Sequence, residues 1–180
     1  MQGVLGAEDA ARLGLPANGW TLLGNVVQPK SRGHIRLTGP DPADPIHIET
    51  NLLSDPDDRK SLLACVRLCR EIGNLDVLRP FLKQEVLPGK LKRTTLEDYI
   101  RDATISFWHQ TSTARMGRDA MSVVDANLKV YGVDNLRVAD GSIMPRVTTG
   151  NTMAPCVIIG ERAAEIIRKQ HQIEALLHEK

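Results

Sequence analysis

Apolar positions along this chain recur with two different periods, and the switches between them mark out its elements. Leu22 to Val27 is an apolar run closed by a turn at Pro29-Lys30-Ser31-Arg32-Gly33. His34-Ile35-Arg36-Leu37-Thr38 then alternates polar and apolar, which predicts a half-buried strand, and Ile46-His47-Ile48 predicts a second across a loop punctuated by Gly39-Pro40 and Asp44-Pro45. Leu62, Leu63, Val66, Cys69 and Ile72 fall at helical spacing. Ser54 or Asp55 can cap that helix, Pro56 suits its first position, Asp57 and Asp58 complement its dipole, and Gly73-Asn74 ends it. Asp76 to Phe81 reads as a short helix or turn, and Leu87-Pro88-Gly89 as a loop. Thr94 or Thr95 caps a further helix through Leu96, Tyr99 and Ile100 to about Ala103, with Thr94 and Glu97 at capping-box spacing.

From Thr104 the period returns to two, giving a strand through Phe107 and Trp108 that ends at His109. Gln110 to Gly117 is a loop. Val123-Val124, Leu128 to Val130 and Leu136 to Ala139 are expected as short strands, the last two joined by a tight turn at Val133-Asp134-Asn135. Pro145 to Gly150 is irregular. A long helix is expected from Asn151 to about Leu177, burying Ile158, Ile159, Ala163, Ile166 and Ile167, with a polar end that frays. The first twenty residues offer one short helical turn at Glu8–Leu13.

A length of 180 residues suits one domain, or a domain with part of another. The hydrophobic fraction is 42% but the aromatic fraction only 3%, so aliphatic side chains must fill the core. With 23 basic against 22 acidic residues there is no positive surplus to hold nucleic acid or an anionic membrane surface as the main partner. No apolar run approaches the roughly 18 residues of a membrane span, and the N-terminus lacks the basic and apolar blocks of a secretory signal. Cys65, Cys69 and Cys156 make an odd set with no disulfide framework. Cys65 and Cys69 stand one helical turn apart, within reach of a shared metal, but no histidine or second cysteine pair joins them. They read as small buried residues, no metal site is expected, and the cysteine usage fits a reducing cytoplasm.

Three places carry candidate chemistry. His109 follows Phe107-Trp108 at a strand end, where an imidazole can point into a cleft and act as a base; it can equally be a hydrogen-bonded histidine at a domain seam. Asn151 follows Gly150 and precedes Thr152-Met153-Ala154-Pro155, which suits a helix cap, and the N-terminus of that helix offers N–H groups and positive potential to an electron-rich edge. Asp140-Gly141-Ser142 lies at the carboxyl end of a strand, where ligands of open α/β sheets bind, or is a plain strand-exit turn.

The order of these features resembles the C-terminal region of the glucose–methanol–choline family of FAD-dependent alcohol oxidoreductases, choline dehydrogenase among them. The residues that carry the resemblance are Trp108-His109, Thr113 to Gly117, Val123-Val124-Asp125, Leu128 to Val133, Leu136 to Ser142, Met144-Pro145 and Gly150 to Pro155, with Gln28 to Gly33 matching less densely. Gln110-Thr111-Ser112-Thr113 departs from the Pro-x-Gly-Thr frequent after the family histidine. The resemblance implies a mixed α+β and α/β fold: part of an antiparallel substrate-domain sheet with helices over residues 1–108, then the catalytic loop, strand and helix that complete an FAD-binding domain over 109–180. It implies His109 as the base that takes the hydroxyl proton of a small-molecule alcohol while hydride goes to FAD, with Asn151 bonded to the alcohol oxygen. It places Ala139, Asp140, Gly141, Asn151, Thr152 and Met153 against FAD.

The family cradles the ADP half of FAD in a Gly-rich βαβ turn, and no G-x-G-x-x-G occurs in this sequence. The expectation is therefore the last third of an enzyme, whose partner is the N-terminal FAD-binding region. The alternative is a truncated, non-catalytic fragment or subunit that needs a separate FAD-binding chain.

Overall fold

A computed structural model describes residues 2–4, 18–89 and 95–172. The chain divides into two compact units, Met1–Trp108 and His109–Lys180.

The first unit is built on two small antiparallel sheets and two helices. β1 (Gln2–Val4) lies between β2 (Asn25–Val26) and β5 (Thr104–Ser106), with Gln2 opposite both Val26 and Ser106. β3 (His34–Arg36) and β4 (His47–Glu49) form a separate ribbon in which His34 faces Glu49, Ile35 faces Ile48 and Arg36 faces His47. The alternation in His34–Thr38 predicts one buried face, yet every residue of both ribbon strands is exposed. The ribbon has only two strands, so neither face gains the cover of a wider sheet. β5 is likewise shorter than the strand expected to reach His109. Trp108 takes φ 55°, which a bulky residue in a strand cannot hold, and its N–H turns back to the Ser106 hydroxyl at 3.3 Å.

α1 (Pro56–Gly73) starts where its caps require. Asp55 Oδ1 accepts from Asp57 N at 2.8 Å and Pro56 occupies the first turn. At the other end Gly73 lies inside the helix, buried beside Trp20 and Leu22, and Asn74 is the C-cap with φ −96°. Leu62 and Val66 on the inner face pack with Leu53 and Ile100, flanked by Val26, Leu63, Leu96 and Tyr99; Ile72 is exposed. α2 (Leu96–Ala103) is capped by Thr95, whose hydroxyl accepts from Asp98 N at 3.2 Å while the Asp98 carboxylate accepts from Thr95 N at 3.1 Å. The capping box is thus one residue later than the Thr94–Glu97 spacing suggests, and Thr94 falls outside the described residues. The Glu8–Leu13 turn falls outside them as well. Between the helices, Asp76–Phe81 is a 3-10 helix, and Arg70 grips Glu85 with two hydrogen bonds of 2.6 and 3.0 Å.

Asp58 is 3% exposed and organises the turn ahead of the ribbon. Its carboxylate accepts from Lys30 N at 2.9 Å, Ser31 N at 2.8 Å and Ser31 Oγ at 2.5 Å. Burial pushes its pKa up, but these hydrogen bonds and the Arg32 charge outweigh it and hold the carboxyl below its ordinary range.

In the second unit the three strands expected between Val123 and Ala139 are single bridges: Met116 with Val124, Val124 with Val130, and Lys129 with Arg137. The chain reverses too often for longer ladders. Asp125 Oδ1 accepts from Asn127 N and Lys129 N, and Leu128, Gly132 and Asn135 all take positive φ. A 3-10 helix at Gly141–Ile143 follows, then α3 (Met153–His171). α3 begins two residues after Asn151 and runs to His171, with Gln172 in the left-handed conformation as its C-cap; Leu177, where the helix was expected to end, lies outside the described residues. Ala163 is buried with Val124, Leu128 and Ile143, and Ile159 and Ile166 pack against them. Ile158 and Ile167, expected on the buried face, are 61% and 37% exposed.

Candidate active site

The loop after His109 is hung on the segment 140–144 by backbone hydrogen bonds. Ala114 N donates to Ser142 O at 3.1 Å and Met116 N to Ile143 O at 2.8 Å. Asp140 caps the 3-10 turn by accepting from Ser142 N at 2.7 Å. The Ser142 hydroxyl, then its N–H, hold the Asp140 carboxyl below the usual carboxylate range. Gly141 sits where a Cβ would come 3.2 Å from Cys156 Sγ of α3 and 3.9 Å from Thr111 Cγ2 of the loop. Ile143 and Met144 are both buried behind it. Loop, turn and helix therefore meet at one point.

That meeting point fixes His109 against the start of α3. Its Nδ1 lies 3.0 Å from Thr152 Oγ1 and its Nε2 lies 3.2 Å from Asn151 Oδ1. Both residues are of a type that caps helices, and Asn151 was expected in that role. Neither performs it: Thr152 is the N-cap residue in helical conformation with no side-chain cap bond, and both side chains turn to the imidazole. Pro155 carries no N–H, and among the described residues no side chain caps the amides of Met153 and Ala154 in the first turn of α3.

The histidine is half-buried, and its ring can hold its proton in two ways. With the proton on Nε2, the ring donates to Asn151 Oδ1 and Thr152 donates its hydroxyl proton to Nδ1; no basic nitrogen is left over. With the proton on Nδ1, the ring donates to Thr152 Oγ1 and the Nε2 lone pair faces Asn151, whose amide must then turn its NH2 group inward. The Thr152 hydroxyl can serve either tautomer, since it both donates and accepts; its contact with the imidazole is one the sequence reading missed when it placed Thr152 only beside the cofactor. The available signal was two adjacent cap-type residues at one helix start, which needs only one.

Of the remaining expected site residues, Gly141 is half-buried at the packing point. Ala139, Asp140 and Met153 are exposed, Met153 at 75%. On α3, Met153, Val157 and Ile158 present a largely apolar outer surface. No helix among the described residues is long and apolar enough to cross a membrane.

Residues 29–160 match the GMC oxidoreductase model for the C-terminal region of that family. The chain is 40% identical over 162 residues to an alcohol dehydrogenase (acceptor) of Pseudomonas putida, covering 88% of this chain and 29% of that protein. It is 41% identical over 153 residues to the mitochondrial choline dehydrogenase of Mus musculus, covering 83% of this chain and 26% of that protein. Among solved structures it superposes on pyridoxine 4-oxidase from Mesorbium loti with a TM-score of 0.73 at 35% identity, covering 82% of this chain and 29% of that one. An FAD-dependent oxidoreductase from Chaetomium thermophilum gives 0.75, also at 35% identity, covering 82% and 26%. The chain therefore spans less than a third of the length of these relatives.

Proposed function

This chain belongs to the GMC oxidoreductase family, and we propose that it forms the proton-handling wall of an FAD-dependent alcohol oxidoreductase acting on the CH–OH group of a small alcohol. The observation that carries this reading is the clamping of His109 between Asn151 and Thr152. Residues 1–108 contribute part of the substrate-binding domain. Residues 109–180 contribute the catalytic loop and the last helix of the FAD-binding domain.

With its proton on Nδ1 and donated to Thr152 Oγ1, His109 keeps a lone pair on Nε2. The alcohol enters between Nε2 and Asn151, displacing their direct contact. Its O–H donates to Nε2, and the turned Asn151 amide donates to its oxygen. As the carbinol carbon gives up hydride, the hydroxyl proton passes to Nε2 and the Thr152 hydroxyl holds the resulting imidazolium through Nδ1–H. The chemistry FAD supplies when bound is acceptance of that hydride.

Ala139, Asp140, Gly141, Asn151, Thr152 and Met153 are the residues that would hold FAD. They fit one edge of a flavin: uncapped helix amides suit an electron-rich ring edge, Met153 gives it an apolar neighbour, and at Gly150 no atom lies within 4 Å of where a Cβ would stand. They do not amount to a cradle for the ADP half. A second reading rests on the missing Gly-rich turn: the chain is a subunit or fragment that acts only with a separate FAD-binding chain.

His109→Ala in the complete enzyme should slow flavin reduction by alcohol by about two to four orders of magnitude; unchanged reduction would remove His109 from the reaction. The flavin absorbance of the purified 180-residue chain separates the two readings. A colourless chain that gains alcohol-oxidising activity on mixing with an FAD-binding chain supports the second, and a stoichiometric yellow chain active alone sinks it.

A further inference from the structure

The β3–β4 ribbon places three metal-ligating side chains on one exposed face, and the proposed reaction uses none of them. Directly opposed residues of an antiparallel pair share a face. His34 with Glu49 and Arg36 with His47 therefore point to one side, and Ile35 and Ile48 to the other. One imidazole nitrogen from each of His34 and His47 and one carboxylate oxygen of Glu49 all lie within 4.8 Å of one another. His34 Nε2 and Glu49 Oε2 are already 3.3 Å apart. A tetrahedral ion with bonds of about 2.0–2.2 Å holds its donors about 3.3–3.6 Å apart, so one edge is in place and a small swing of exposed His47 closes the others. The two imidazoles stand with ring centroids 6.0 Å apart and tilted by 44°, so neither blocks the other's approach.

The scaffold beneath is held from both ends. A Cβ at Gly33 would come 2.1 Å from Glu49 O, so only glycine lets β3 lie this close to β4 just before His34. Asn51 Nδ2 donates to Arg32 O at 2.8 Å across the same end, and Thr38 Oγ1 donates to Pro45 O at 2.5 Å across the other. An ion pair between His34 and Glu49 alone would leave His47 without a purpose on this face. Arg36, opposite His47, opposes a cation, and the Glu49 carboxylate offsets it.

We propose that His34, His47 and Glu49 form a surface site for a borderline divalent transition ion, two imidazoles and a carboxylate leaving a fourth position to water. Such a donor set suits zinc(II), nickel(II) or copper(II) and disfavours magnesium and calcium. The ion would tie β3 to β4 across the loop between them.

Titration of the 180-residue chain with zinc chloride in a calorimeter tests it. The expected result is one equivalent bound, with His34→Gln and His47→Gln each weakening binding by at least about tenfold. Arg36→Gln should tighten binding, and the double variant Cys65→Ser/Cys69→Ser should leave it unchanged, which separates this site from the cysteine pair. No zinc uptake, uptake indifferent to both histidine variants, or uptake lost only in the cysteine variant would each overturn the proposal.

Discussion

Replacing Asp58 should damage the first unit more than any surface change can, because the residue is buried and its partners have nowhere else to turn. Three donors converge on it: Lys30 N, Ser31 N and Ser31 Oγ. Asp58→Ala would leave two backbone N–H groups and a hydroxyl without their acceptor. Each orphaned buried group costs about 1–3 kcal/mol. Some solvent reaches the Lys30–Arg32 turn, so the expected total is about 3–5 kcal/mol rather than the full sum. Asp58→Asn keeps the shape and one acceptor but points an NH2 group at a donor, for an expected loss of about 2–3 kcal/mol. The pH dependence adds a second check. Hydrogen bonding holds the Asp58 pKa below its unfolded value, so its contribution is present above the unfolded value and fades as pH falls through the folded one. The gap between wild type and Asp58→Asn should therefore be widest near neutrality and close in acid. Urea unfolding followed by Trp20 fluorescence reads both; Trp20 lies beside Gly73 at the end of α1 and donates to Phe81 O. An Asp58→Ala loss under about 0.5 kcal/mol, or a gap to Asp58→Asn that ignores pH, would refute the reasoning.

Other outcomes follow from the same packing and bonding. Leu62→Ala, at a side chain with no exposed surface, should cost about 2–5 kcal/mol in the same unfolding assay. Thr152→Val in the complete enzyme should lower kcat about tenfold or more with little change in KM, and Thr152→Ser should restore it, as stopped-flow flavin reduction will report. Gly141→Val should lower the melting temperature, because even its Cβ would meet Cys156 Sγ at 3.2 Å and the branched methyls would wedge the loop from α3.

Much of the helical part of this fold was legible because its signals are local. Asp55 and Pro56 mark the start of α1, and Ala103 ends α2 as expected. The sheets were not legible in the same way. β1 was invisible, since its pairing with β2 and β5 joins residues far apart in sequence. The strands expected from Val123 to Ala139 shrank to bridges because turns with positive φ at Leu128, Gly132 and Asn135 interrupt them; Gly132 and Asn135, the latter in the tight turn expected at Val133–Asn135, advertise themselves, and Leu128 does not. At the candidate site, the types and order of His109 and Asn151 were readable. That a capping pair would abandon its helix for an imidazole 42 and 43 residues upstream was not.

The two side chains that could cap the start of α3 are spent on His109 instead. A helix end without a side-chain cap is held less firmly than a capped one. An alcohol gripped by the turned Asn151 amide, and an electron-rich edge seated on the first-turn amides, would each order that end. Hydrogen exchange at the Met153 and Ala154 amides should therefore slow when the cleft is filled and quicken when it empties.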